Sequence, residues 1–126
     1  MMNFEFVAAE VSHTFEDGVH ILALASAKSE DYMILQRGTE FDEQDRELGQ
    51  DTYYLEVSAD GVAGYGGVES ATLNEGRLDI TLADNAKWRE DLAAIRINVQ
   101  ALKGLDGLKA AITSIFADTD TTVRFD

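Results

Sequence analysis

The sequence predicts an α+β fold, with a single antiparallel β-sheet of about six to seven strands and a C-terminal amphipathic helix packed on one face. Short segments of alternating apolar and polar residues recur between turns that contain Asp, Asn and Gly. One stripe of helical periodicity follows near the C-terminus. The chain has no proline, no Gly/Ser-rich linker and no internal repeat. We therefore expect residues 1–126 to form a single domain.

The N-terminal part is predicted to contain three strands. Residues 3–11 alternate with a period of two, and Asp17-Gly18 marks the turn that follows. Residues 19–26 are apolar on both faces, which is typical of a central strand that is covered on both sides. Residues 32–37 alternate less cleanly and form the third strand.

The middle of the chain predicts further strands. Residues 52–58 alternate, so that Tyr53 and Leu55 share one face and Tyr54 lies on the other. Asp60-Gly61 is a hairpin signal, after which residues 67–73 are expected to pair back.

The strongest alternation lies in residues 77–82, which follow the predicted turn at residues 74–76. Asp84 is expected to cap a short helical segment that contains Trp88 and Leu92. Residues 94–99 then alternate again as a strand.

The C-terminal helix is the clearest element. Apolar residues recur at a spacing that places them on one side of a helix: Leu105, Leu108, Ile112, Ile115 and Phe116. A lone helix of this length is marginal in water, so the stripe predicts a sheet for it to pack on. The tail TTVRFD is predicted to be either a short edge strand or loosely held.

The composition is strongly acidic, with 24 Asp and Glu against 10 Lys and Arg and a net charge of −14. Nucleic acid is a poor partner for such a chain, because its phosphates are repelled, whereas a basic protein is attracted. Ten acidic residues fall between Ser29 and Asp60, opposed only by Arg37 and Arg46. This clustering predicts a local field around the loop that contains Asp42, although net acidity that merely maintains solubility is equally compatible with the composition.

Several classes of function are disfavoured. The chain has no cysteine, which excludes disulfides and thiolate chemistry. The N-terminus is not a secretory signal, and no apolar run is long enough to span a bilayer, so we expect a soluble cytoplasmic protein. His13 and His20 have no adjacent nucleophile motif and are expected to be structural or surface residues. We predict no catalytic residues, no cofactor and no metal site.

Two segments of the sequence partly match known ligand-binding patterns but lack a residue that each pattern requires. A calcium-binding loop that started at Asp42 would need glycine at its sixth position, where Glu47 stands, so this loop is expected to be a solvated acidic segment or a contact for a basic partner. Gly64-Tyr65-Gly66-Gly67 lacks the third glycine of a dinucleotide-binding loop, because Glu69 occupies that position. It is predicted to be a tight turn or bulge that displays Tyr65 or folds it back on the sheet.

These central segments, YMILQR, FDEQDRELGQDTYYLEV and GYGGVES, together resemble the immunity protein 10 family of bacterial polymorphic toxin systems over roughly residues 31–82. The resemblance implies a protein that neutralises a cognate toxin domain, which is usually the product of a neighbouring gene. The alternatives are an acidic homo-oligomeric scaffold and a small hydrolase or ligand-binding module. The exposed edges of an antiparallel sheet are also compatible with a homodimer. The candidate partner-binding residues combine the acidic loop with nearby tyrosines: Asp42, Glu43, Asp45, Glu47, Asp51, Tyr53, Tyr54, Tyr65 and Glu69.

Overall fold

The computed structural model describes residues 2–58, 62–86, 88, 92–103 and 105–125. Within these residues the chain forms ten strands and two helices, α1 between β4 and β5 and α2 between β9 and β10. In chain order they are β1 (Met2–Val7), β2 (Glu10–Glu16), β3 (Val19–Ala25), β4 (Tyr32–Gly38), α1 (Glu43–Glu47), β5 (Tyr54–Val57), β6 (Ala63–Tyr65), β7 (Val68–Asn74), β8 (Arg77–Leu82), β9 (Leu92–Asn98), α2 (Leu105–Phe116) and β10 (Thr122–Phe125).

The strands form two five-stranded sheets, so the α+β class is confirmed and the prediction of one antiparallel sheet is wrong. Sheet A has the order β1-β9-β8-β7-β10 and is mixed, because β1 runs parallel to β9 and β10 parallel to β7. Sheet B has the order β2-β3-β4-β5-β6 and is antiparallel throughout.

The chain changes sheet at two short junctions. The amide of Ala8 donates to the carbonyl of Asn98 in sheet A, whereas the amide of the next residue, Ala9, donates to Ala25 in sheet B, both at 2.9 Å. Because of this junction the predicted strand over residues 3–11 is two strands in different sheets. Local alternation does not reveal such a break, since both halves alternate.

The second junction lies in the glycine cluster, where a tight turn was predicted. Gly66 donates to Tyr53 in sheet B, and Gly67 accepts from Ala83 beside sheet A. Both glycines have positive φ, 66° and 82°, which side chains disfavour. The segment is therefore a glycine-dependent junction between the two sheets, and the prediction that residues 67–73 pair back on the preceding strand is wrong, because β7 pairs with β8.

Two predictions lie partly outside the described residues. The Asp60-Gly61 hairpin signal falls there, although β5 and β6 on either side do pair antiparallel. Most of the helical segment predicted after Asp84 falls there as well. Its last predicted residue, Leu92, belongs to β9, so the prediction of helix is wrong at that residue.

The predicted stripe of the C-terminal helix is confirmed. α2 contacts β2, β3 and β4 of sheet B and β10 of sheet A, and it joins both sheets in one apolar core cluster. Each large apolar side chain buried there contributes about 1.5–3 kcal/mol of stability. Because both sheets depend on this core, we propose that the chain is a single domain. The buried residues of α2 are Leu108, Ala111, Ile112, Ile115 and Phe116.

Arg37 fixes the end of α2 to sheet B. It lies on the inner face of β4, and its Nη1 donates to the carbonyls of Ile115 at 2.8 Å and Ala117 at 2.7 Å. Carbonyls at a helix C-terminus have no partner within the helix, and a cation there is also favourable to the helix dipole. This contact holds the C-terminal end of α2 against the inner side of sheet B.

The described part of the chain contains no helix that could cross a membrane; α2, at 12 residues, is the longer of the two.

Candidate protein interaction site

The outer face of sheet B carries apolar and aromatic side chains. In β3 and β4 the alternate residues Leu22, Leu24, Met33 and Leu35 are fully buried in the core, and the residues between them remain partly accessible. The strand register aligns these outer residues across the sheet, and we call the surface they form the tyrosine face. It consists of Val19, Ile21, Ala23, Ala25, Tyr32, Ile34, Gln36, Tyr54, Glu56, Ala63 and Tyr65, with Glu10, Ser12, Thr14 and Glu16 along the β2 edge.

Three tyrosines and one carboxylate form the centre of one half of this face. Tyr54 and Tyr65 are directly opposite one another on β5 and β6, with ring centroids 5.2 Å apart. The hydroxyl of Tyr32 donates to Oε2 of Glu56 at 2.6 Å, and that of Tyr54 donates to Oε1 at 2.9 Å. Tyr65 is 43% exposed, which is high for a tyrosine within a strand.

These hydrogen bonds change the titration of the groups. The bond from Tyr32, then that from Tyr54, lowers the pKa of Glu56, against the opposing effect of desolvation. The same bond raises the pKa of Tyr32, while desolvation first and then the bond to Glu56 raise the pKa of Tyr54. The carboxylate is therefore ionised and the phenols remain donors at neutral pH.

Trp88 supports the edge strand β6 from the inner side of the sheet. Gly64, whose position faces inward, lies against the indole ring so closely that a Cβ there would overlap it. A Cβ at Gly67 would also come within 2.8 Å of Ala86. The two glycines thus let the strand and its junction approach the indole, and Tyr65 is displayed on the opposite side.

The tyrosine face continues into a shallow recess at the end of sheet B where β2 begins and β3 ends. Its volume is about 670 Å³, and Ser12, Ala23 and Ala25 of the face contribute to its wall. The loop at residues 101–103 lines the other side. Ser12, Ala23 and Ala25 have small side chains, which leaves space in the recess on the side of the tyrosine face.

The predicted acidic loop forms a short helix between β4 and β5. Asp42 is the N-cap of α1, and its Oδ1 accepts from the amide of Asp45 at 2.7 Å, while Asp45 Oδ2 accepts from the amide of Asp42 at 3.1 Å. This reciprocal capping box stabilises the first turn. Glu43, Glu47 and Asp51 remain exposed.

The structure separates the other predicted partner-binding residues. Tyr53 is 3% exposed, and its hydroxyl bonds Thr121 at 2.8 Å and accepts from the amide of Val68 at 2.9 Å, so it is a core residue and we exclude it from the surface. Tyr54 and Tyr65 lie together on the tyrosine face. Glu69 is exposed but belongs to β7, in the other sheet.

The two histidines lie on the inner side of sheet B, beyond the core. His13 Nε2 and His20 Nδ1 are 3.4 Å apart. The Phe15 ring packs edge-on against the His20 ring, with the two ring centroids 4.3 Å apart. Burial first, then His13 and Arg37, lower the pKa of His20. Their neighbours are aromatic and cationic, so nothing in this cluster resembles a nucleophile–base pair. Among the described residues no group of three or more potential ligands is placed to hold a metal ion.

The outer face of sheet A, which we call the polar face, has a different chemistry. Arg77 Nε contacts Asp79 Oδ2 at 3.0 Å, and Arg96 Nε lies 3.8 Å from Asp79 Oδ1. Its remaining side chains are mainly short polar residues, as expected for a face in contact with water. Aligned across the sheet are Asn3, Glu5, the exposed Val7, Ser70, Thr72, Asn74, Arg77, Asp79, Thr81, Ala94, Arg96, Asn98, Thr122 and Arg124.

The match to known proteins falls on the part of the chain that builds these surfaces. The family model described as immunity protein 10 matches residues 6–103, which include all of sheet B. The chain belongs to the immunity protein 10 family. The resemblance found in residues 31–82 is thereby confirmed and extended in both directions. None of the curated proteins matches the chain.

Sequence reasoning missed two members of the central cluster of three tyrosines and one carboxylate in this immunity protein 10 chain. Glu56 was counted among the acidic residues but not distinguished from them, and Tyr32 was not considered. The sequence signal that could have revealed this surface was β3, because β3 is apolar on both of its faces. That pattern was interpreted as evidence that other parts of the chain cover the strand on both sides. In the structure, Ile21 and Ala23 are only half-buried, so the apolar outer residues indicate a surface and not a second layer.

Proposed function

We propose that this chain is an immunity protein that binds a cognate bacterial toxin domain and neutralises it without catalysis. The family supports the toxin as partner. The observation that carries the proposal is the tyrosine face, because apolar and aromatic side chains on an accessible sheet face are typical of protein interfaces. Tyrosine in particular contributes disproportionately to binding energy at the centres of such interfaces.

The charge distribution indicates a basic partner. The chain carries a net charge of −14, and α1 with its flanking loop presents exposed carboxylates at Glu43, Glu47 and Asp51. Such a field increases the rate at which a basic domain is captured, while the contact face determines how long it stays. We therefore assign steering to α1 and anchoring to the tyrosine face. The absence of cysteine suits an encounter in the cytoplasm.

The test uses the product of the gene adjacent to the one that encodes this chain. Expressed alone that product should be toxic, and co-expression of the chain should restore growth. Purified together, the two should form a stable complex measurable by calorimetry and light scattering. If the adjacent product is toxic, and the chain neither binds it nor protects against it, the proposed function is wrong.

A second copy of the chain is a poorer occupant of the tyrosine face. Pairing two copies through it would bring two Glu56 carboxylates into a desolvated contact between molecules that each carry −14. Light scattering of the isolated chain decides this point. A dimer that is disrupted by substitution on the tyrosine face would instead favour the homo-oligomeric scaffold.

A further inference from the structure

Glu56 lies in an unusual position for a charged residue. It is at the centre of β5, with Ile34 directly across from it on β4 and Ala63 directly across on β6. Tyr32 and Tyr54 complete its surroundings. Apart from the phenol hydroxyls, these neighbours are apolar. A carboxylate in such a setting would lose hydration when a partner covers the face, which is costly unless the partner supplies compensating donors.

The carboxylate is oriented before any partner arrives. One tyrosine hydroxyl binds each of its oxygens, and this fixes the plane of the group. Each carboxylate oxygen can accept two hydrogen bonds, so one acceptor position per oxygen remains. Two parallel acceptor positions on a fixed carboxylate match the two parallel N–H groups of a guanidinium.

The chain does not neutralise this charge itself within the described residues. Asp79 pairs with Arg77 and Arg96 in the other sheet, whereas no lysine or arginine among the described residues lies within ion-pair distance of Glu56. Glu56 has tyrosine hydroxyls as partners instead, which orient it without cancelling its charge. The charge is therefore left for a group from outside.

The aromatic neighbours favour a guanidinium over an ammonium ion. Arginine stacks its planar group on aromatic rings and is less strongly hydrated than lysine, so it loses less on entering such a site. The rings of Tyr54 and Tyr65 are 5.2 Å apart beside the carboxylate. We propose that Glu56, Tyr32, Tyr54 and Tyr65 form a binding site for an arginine side chain of the cognate toxin domain. This inference rests on the proposed function and specifies its central contact.

The first experiment measures the affinity of the purified adjacent gene product for Glu56→Gln. Glutamine keeps the shape and an acceptor for a tyrosine hydroxyl but removes the charge, and we expect at least about 30-fold weaker binding. The control is Glu5→Gln, which removes an equal charge from an exposed position on the polar face of sheet A, outside the proposed site. We expect the control to change the affinity by about twofold or less.

The two proposals fail in distinguishable ways. If the wild-type chain does not bind the adjacent product, the proposed function fails, whatever the outcome at Glu56. If the wild type binds and Glu56→Gln binds equally well, the arginine site is wrong while the proposed function stands. The contact is then made by other residues of the tyrosine face or by another surface. Thermal unfolding of both variants confirms that they are folded before binding is compared.

A second experiment needs no toxin. N-acetyl-arginine amide is titrated into the isotope-labelled chain at millimolar concentrations, and the NMR signals of the Tyr32 and Tyr54 rings are followed. We expect shifts with the arginine compound, much smaller shifts with the uncharged N-acetyl-citrulline amide, and none of the arginine-specific shifts in Glu56→Gln. Equal shifts with citrulline or with the lysine analogue would overturn the assignment of a guanidinium site.

Discussion

The tyrosine face and the polar face are outer surfaces of two sheets with the same number of strands, yet their chemistry is opposite. On the polar face, β8 alternates strictly, and Arg77, Asp79 and Thr81 point to water. On the tyrosine face, β3 contributes Ile21 and Ala23 at the corresponding outer positions. Both inner faces contribute buried apolar residues to the same core, although the inner side of sheet B also carries His13, His20 and Arg37 beyond that core. The contrast between the two outer surfaces therefore arises from the residues that point outward.

This difference separates what folding requires from what binding requires. Either sheet could be stabilised by its inner face with a polar exterior, as sheet A demonstrates. Accessible isoleucine and tyrosine on the outer face of sheet B increase the risk of aggregation, and this is why we propose that a binding partner covers them. The comparison of the two faces leads to four predictions.

The largest expected effect tests whether the tyrosine face depends on the inner side of its own sheet. In Gly64→Ala the new Cβ overlaps the Trp88 ring, so β6 or the indole must move. We expect the free energy of unfolding to fall by about 3 kcal/mol and the Tm by roughly 10 °C, measured by urea and thermal denaturation.

The matched control is the same change at Gly107, within α2, where nothing lies within 4 Å of the added Cβ. Gly107→Ala should instead stabilise the chain by about 0.5–1 kcal/mol, because alanine loses less backbone entropy in a helix. Equal stability of Gly64→Ala and the wild type would show that Trp88 does not support β6.

The second prediction places the same charge on each face. Ile21→Lys puts an ammonium on the tyrosine face. Thr81→Lys puts one on the polar face, at a position near the end of β8 that is half-buried, as Ile21 is. We expect Ile21→Lys to weaken binding of the adjacent gene product at least about 30-fold, mainly by faster dissociation. Thr81→Lys should bind as the wild type does; comparable losses in both variants would contradict the assignment of the site to sheet B.

The third prediction separates steering from anchoring. Glu43→Gln, Glu47→Gln and Asp51→Asn together remove the exposed carboxylates of α1 and its following loop but keep the capping box of Asp42 and Asp45. Association should slow by roughly three- to tenfold and depend less on salt, while dissociation stays unchanged. Stopped-flow measurements at several salt concentrations test this.

The control for the acidic variant neutralises three acidic residues associated with sheet A, by Glu5→Gln, Glu69→Gln and Glu75→Gln. Its net charge is the same, so an equal loss of association rate would mean that total charge, rather than its position on α1, attracts the partner. This control also tests Glu69, which was predicted from the sequence to bind the partner.

The smallest expected effect concerns the histidine pair on the inner side of sheet B. The pKa of His20 should lie below 6.5, because of burial and then of His13, and His13→Gln should raise it. Between the folded pKa and 6.5 the unfolded chain binds more protons, so His20 lowers stability as the pH falls through that window. NMR titration of the imidazole signals measures this, and a His20 pKa at or above 6.5 would contradict it.

Local elements were predictable because they depend on residues close in sequence. The period of α2, the turns at Asp17-Gly18 and Gly76, and the inward side of residues 77–82 all follow from spacing and from the backbone freedom of glycine. The clustering of acid in α1 was also visible, although its capping box required the geometry. The family could be identified from the central segments because the matched residues include them.

The sequence by itself determined the elements, the charge and the family of this chain. Only the tertiary structure decided that the strands form two sheets, because the junctions at Ala8–Ala9 and Gly66–Gly67 direct the hydrogen bonds of adjacent residues to different partners. It also decided that Tyr53 is core and that Tyr32 and Glu56 are surface neighbours 24 residues apart. The alternation of apolar and polar residues distinguishes the two sides of a strand. It does not specify which strand is the neighbour in the sheet, or whether another part of the protein covers the outer side.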